Sequence, residues 1–119
     1  MAAGIFDLDI EQGSDCTWVL TLTSKPPDPQ PIVLTGYTAR AQIRPSRGRD
    51  TAVLHELTTA NGRLVIDGPA GTITIHIPGD ESTPWVWTEG VYDLELVSPS
   101  GAPTRLLMGA VRVDPEVTR

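Results

Sequence analysis

Three side chains here are of the types that do nucleophilic or metal chemistry near neutral pH: Cys16, His55 and His76. They lie far apart, and no local spacing matches a zinc ligand set or a nucleophile beside its base. His76 falls on the outward phase of an alternating segment and reads as a solvated residue. His55, between Leu54 and Glu56, has no evident place. Cys16 is the lone cysteine, so it pairs with no other in this chain. It reads as a small apolar residue on a strand, with a link to another chain as the alternative. Asp7, Asp9, Glu11 and Asp15 form an acidic run that would chelate calcium only with the glycine and terminal bidentate glutamate of a calcium loop. Those are missing, so a solvated acidic face is expected. The expectation is a protein with no catalytic residue, no cofactor and no metal.

Residues suited to binding are easier to find. Arg40 and Arg44 share the outward phase of one segment, and Arg47 and Arg49 follow in the next turn. They make a basic patch on a chain with formal net charge −6. Asp7, Asp9 and Glu11 present an opposite charge on one face of the first strand. Such charges either pair across strands within the chain or steer separate subunits together. Trp85 and Trp87, two apart, face the same way in an extended chain. They either cap one end of the core or stand open as an interface anchor. A third possibility is a stacking surface for glycans with Tyr37. The C-terminal stretch from Val113 to Arg119 leaves a strand as an extended tail, with Arg119 at its end as a further contact candidate.

These residues need a scaffold, and period-two alternation supplies it. Ile73, Ile75 and Ile77 alternate with Thr72, Thr74 and His76. Ala39, Ala41 and Ile43 alternate with Thr38, Arg40, Gln42 and Arg44. The segments 16–23, 37–44, 72–77 and 91–97 are half-buried strands with one face on a core. Weaker strands, 53–57 and 63–66, flank Asn61-Gly62, which predicts a tight hairpin. The long 104–113 strand holds Gly109, a mark of a bulge or a close backbone approach. One helical turn is predicted within 78–87. Lys25–Pro31, with four prolines, reads as a stiff loop joining two strands, or as a ligand for a proline-binding module. Seven or eight short strands in 119 residues predict an all-β fold. The expected architecture is one immunoglobulin-like antiparallel β-sandwich spanning 1–119, with short extended arms at both ends. A jelly roll or small barrel is the alternative.

Charge and composition narrow the partners. An acidic chain, pI about 4.7, is a poor general binder of phosphate backbones, so no nucleic acid is expected. No stretch is long and apolar enough to span a bilayer, and no secretory leader is evident. The chain reads as made and kept in a cytoplasm.

The strands also resemble a known family. Ile10-Glu11-Gln12-Gly13, the run from Leu34 to Arg44, Gly71-Thr72-Ile73-Thr74-Ile75, Val91-Tyr92-Asp93-Leu94-Glu95-Leu96 and the closing 104–119 stretch resemble small structural proteins of tailed phages and prophages. The order is preserved over most of the chain. A more distant likeness is to the N-terminal module of upper-baseplate, receptor-binding-apparatus proteins. Two segments depart from the pattern: the proline-rich 25–31 loop stands where a short polar hairpin is usual, and Trp85-Val86-Trp87 where a smaller, alanine-rich stretch is usual. The resemblance implies a non-enzymatic virion component, made in the host bacterial cytoplasm and built in as a homo-oligomer beside other virion proteins. Its position would be a tail or baseplate adaptor or, alternatively, a capsid decoration protein. A carbohydrate-binding module is the reading from another class.

Overall fold

β-Branched residues on one phase and polar residues on the other dictate the strands. The computed structural model describes residues 4–24, 27–48 and 51–118. In chain order it holds β1 (Gly4–Ile5), β2 (Leu8–Glu11), β3 (Cys16–Thr21), β4 (Thr38–Arg44), β5 (His55–Thr58), β6 (Leu64–Asp67) and β7 (Thr72–Ile77). One helical turn, α1 (Gly79–Ser82), precedes β8 (Glu89–Val97) and β9 (Pro103–Asp114). The larger sheet runs β1-β9-β8-β4-β5, with β2 also on β9; the smaller runs β3-β7-β6. Apart from its N-terminal edge, this is the immunoglobulin-like order, three strands packed over a sheet built around a central hairpin. It is neither a closed barrel nor a jelly roll.

Between the sheets lies an aliphatic core. Ile73, Ile75 and Ile77 face Ile43, Leu57, Leu94 and Val111, all buried. Each such side chain contributes about 1.5–3 kcal/mol on leaving water. Leu8 and Ile10 fix β2 the same way, turning inward while Asp9 and Glu11 stay outside.

Three expectations are corrected. The sandwich is not wholly antiparallel, because β1 and β2 run parallel to β9 in one register, Gly4 beside Leu107 and Leu8 beside Val111. They are one edge strand broken at Phe6-Asp7, so the N-terminal segment is part of the sheet and not an arm. Asn61-Gly62 closes no hairpin: β5 pairs with β4 and β6 with β7, so the turn carries the chain between sheets. Asn61 organises that crossing, its Oδ1 accepting from Thr58 and Arg63 N–H, both at 2.9 Å. The bulge of β9 falls opposite Leu94–Glu95, where Leu106 is the extra residue, which leaves Gly109 the second of its two expected roles.

Gly109 is the close approach. A Cβ there would stand 2.2 Å from Phe6 O, the carbonyl that accepts the Tyr92 hydroxyl at 2.5 Å. In the 25–31 loop, Ser24 N–H bonds Gln30 O at 2.8 Å and Thr23 bridges Pro31, which makes it a strand connection. Lys25 and Pro26 lie outside the described residues.

Gln12 ties three elements at one end of the sandwich. Its amide nitrogen reaches Ser82 O and Thr83 O, both at 3.1 Å, and Trp85 O at 2.8 Å, so two protons serve three carbonyls. Its oxygen accepts Glu116 N–H at 3.1 Å, which anchors the chain beyond β9. Buried Ser82 completes the joint, its hydroxyl accepting Gly13 N–H at 2.8 Å.

Candidate functional site

The outward face of the larger sheet carries the charges. Register places Arg40 beside Glu95, Gln42 beside Asp93 and Arg44 beside Val91. Arg40 Nε donates to Glu95 Oε1 at 2.8 Å, an exposed pair worth at most about 1 kcal/mol. For Arg40, pairing within the chain wins. The Arg44 guanidinium donates to Thr51 O and, at 2.7 Å, to Gln42 Oε1, holding the turn that follows β4 against the sheet. That turn carries Arg47 over the sheet face to Met108 Sδ, 3.4 Å away. Arg105, on the outward side of β9, stands 4.0 Å from Asp93.

Arg44, Arg47 and Arg105 thus line one open groove of about 460 Å³, with Gln42, Val91 and Asp93 beneath. Three guanidiniums face one carboxylate there. Two of the four expected arginines take part; Arg40 sits outside the groove, and Arg49 lies outside the described residues. Arg105 was not legible as a partner, because only the β8–β9 register brings it beside Asp93 and Glu95.

A row of carboxylates runs along the nearby edge. Asp9 and Glu11 are exposed on the outward side of β2, and with Arg112 and Asp114 of β9 they border a shallow groove. Asp7 shares their phase, yet its Oδ1 accepts Ala110 N–H at 2.9 Å and bridges the break between β1 and β2. Among the described residues, no three His, Cys, Asp or Glu side chains converge on a point that would hold a metal.

Of the two roles expected of the tryptophans, the structure shows the core cap. Trp85 and Trp87 are half-buried against the core, their rings stacked with centroids 4.6 Å apart. Val86, between them, is 96% exposed. His55, on the inward phase of β5, meets Trp85 edge to face at 5.0 Å. Burial lowers the His55 pKa, against the upward pull of Glu81, and Arg63 adds to the lowering. The imidazole is therefore neutral at pH 7. Its Nε2 lies 3.3 Å from Glu81 Oε1 without hydrogen-bond alignment, and the ionic partner of Glu81 is Arg63, 2.9 Å away. Tyr37 precedes β4 at the other end of the β4–β8 pair, about 20 Å of strand from the tryptophans. Those three aromatics form no common platform.

The remaining candidates separate. His76 Nδ1 lies 3.0 Å from Thr17 Oγ1 on the outer side of the small sheet. Cys16 is on the inward phase of β3, free and half-buried. Arg119 lies outside the described residues.

The chain matches no known family model and no curated protein. The described residues offer charge above all. Their strongest grouping is the arginine groove beside the acidic edge, both on one sheet face. Such an arrangement recognises carboxylates by charge and by the planar fork of the guanidinium.

Proposed function

We propose that this protein is a non-enzymatic structural subunit of a tailed-phage particle, a tail or baseplate adaptor that docks on neighbouring virion proteins. The observation that carries the docking is the groove of Arg44, Arg47 and Arg105 on a chain of net charge −6. On an acidic protein, a local basic groove repels little of an acidic partner and orients it. Charge of this kind sets encounter rate and register more than affinity. The virion context comes from the in-order resemblance of the strands to small phage structural proteins. Neighbouring subunits offering a carboxylate row, such as the Asp9–Glu11 edge of a second copy, are the chemistry the groove fits.

Antibody labelling of purified particles in the electron microscope tests the placement. Label at the tail or baseplate is expected, and it is lost for particles carrying Arg47→Glu with Arg105→Glu while the purified double variant keeps its circular dichroism. Label over the head makes the protein a capsid decoration. Unlabelled particles overturn the virion reading.

A further inference from the structure

Among the described residues, β3 is paired on one side only. It bonds to β7, and Leu22 N–H reaches Gly71 O on that same side. Alternation along the strand therefore turns the N–H and C=O groups of Thr17, Val19 and Thr21 to the open side. Natural sheets guard such edges with charges, prolines, breaks or short strands. The other edges among the described residues are guarded. β1 and β2 are interrupted and carry Asp7, Asp9 and Glu11, while β5 and β6 are four residues each, with Glu56 and Asp67. β3 has no such device. It is six residues, Cys16-Thr17-Trp18-Val19-Leu20-Thr21, without charge or proline and in unbroken register.

Its side chains are as unfinished as its backbone. Cys16, Trp18 and Leu20 point inward and stay half-buried, whereas Ile77, Ile75 and Ile73, their partners on β7, are fully covered. On the outer side Val19 is 63% exposed, and its row continues through Thr74 to Val65, 53% exposed.

We propose that two copies of this chain join along β3, antiparallel about a two-fold axis at Val19, making one six-stranded sheet from two three-stranded ones. Neutrality admits a second copy as the occupant, and side-chain complementarity along the strand selects it. Two molecules of net charge −6 repel wherever their carboxylates meet, and β3 is neutral along its whole length. The pairing is self-complementary. Val19 faces its own counterpart, Thr17 faces Thr21 of the second copy, and Trp18 lies beside Leu20 of the second copy and is covered by it. Aromatic–aliphatic and Thr–Thr neighbours of this kind stabilise sheets, and a two-fold contact closes after one copy. Pairing along a single short strand makes a contact at the small end of specific interfaces, so the dimer forms as concentration rises. Cys16 faces Leu22 of the second copy, so no disulfide is involved.

This inference stands on the edge alone and is independent of the virion reading, because the purified full chain tests it without any particle. Light scattering at rising concentration should carry the mass from 12.8 kDa to twice that value. Amide exchange at Thr17, Val19 and Thr21 should slow in step, while Trp18, already bonded to β7, does not change. Val19→Pro removes the open-side donor, and Val19→Lys sets two ammonium groups face to face. Both should hold the chain at monomer mass with the parent's circular dichroism, and if the proline variant does not fold, the lysine variant decides. A monomer at every concentration, a dimer that survives Val19→Lys, or a dimer whose Thr17, Val19 and Thr21 amides exchange freely overturns the proposal.

Discussion

Tyr92 shows how much one side chain does at the N-terminal edge. Its hydroxyl bonds Phe6 O across the place where β1 and β2 break, and Gly109 leaves the space for that carbonyl. Burial pushes the phenol up to about 12, with the Asp7 carboxylate adding to the rise. The native state therefore holds this proton more tightly than the unfolded chain, whose tyrosine titrates near 10. The resulting stability is complete below pH 10 and is lost between pH 10 and about 12. Tyr92→Phe should cost about 1–2 kcal/mol at neutral pH. In denaturant titrations across pH, the gap between parent and variant should narrow above pH 10. A gap that stays constant to pH 12 would show that the phenol titrates alike in both states. Gly109 was legible in the sequence as a bulge or a close approach, but the choice between them was not. It depends on Phe6, which only the parallel pairing with β9 brings near.

At the scale of elements, what was legible followed from alternation. The 72–77 strand was readable to the residue because isoleucines and polar residues strictly alternate and a glycine and a proline bound it. Turn chemistry is local, and this is why Asn61-Gly62 misled. The dipeptide announces a reversal, but whether the flanking strands share a sheet is decided by what β4 and β7 offer them. Gln12 was invisible for a related reason, since one glutamine after a strand reads as surface. In the structure it joins β2, α1 and the chain beyond β9. Gln12→Leu, similar in size, leaves those carbonyls and the Glu116 N–H without partners. It should cost about 2–4 kcal/mol and speed amide exchange at Glu116 and through the 82–87 segment. A variant with parent stability would mean that water replaces the glutamine at no cost.

Over the whole molecule the two sheet faces divide the work. The smaller sheet shows threonine and valine outward, while the larger shows arginines and carboxylates in register. The sign of these patches was readable from composition and phase. Their pairing was not, because Arg40 is spent on Glu95 while Arg105 joins the groove, and both facts depend on the β4-β8-β9 register. We propose that this chain is built into phage particles in a limited number of copies at the tail. Quantitative mass spectrometry of purified particles, normalised to the major capsid protein, measures that copy number. A ratio of a few per cent is expected, as for a tail or baseplate ring. A ratio near one or one half would contradict the tail placement and make the protein a capsid decoration, and its absence from particles would contradict the virion reading altogether.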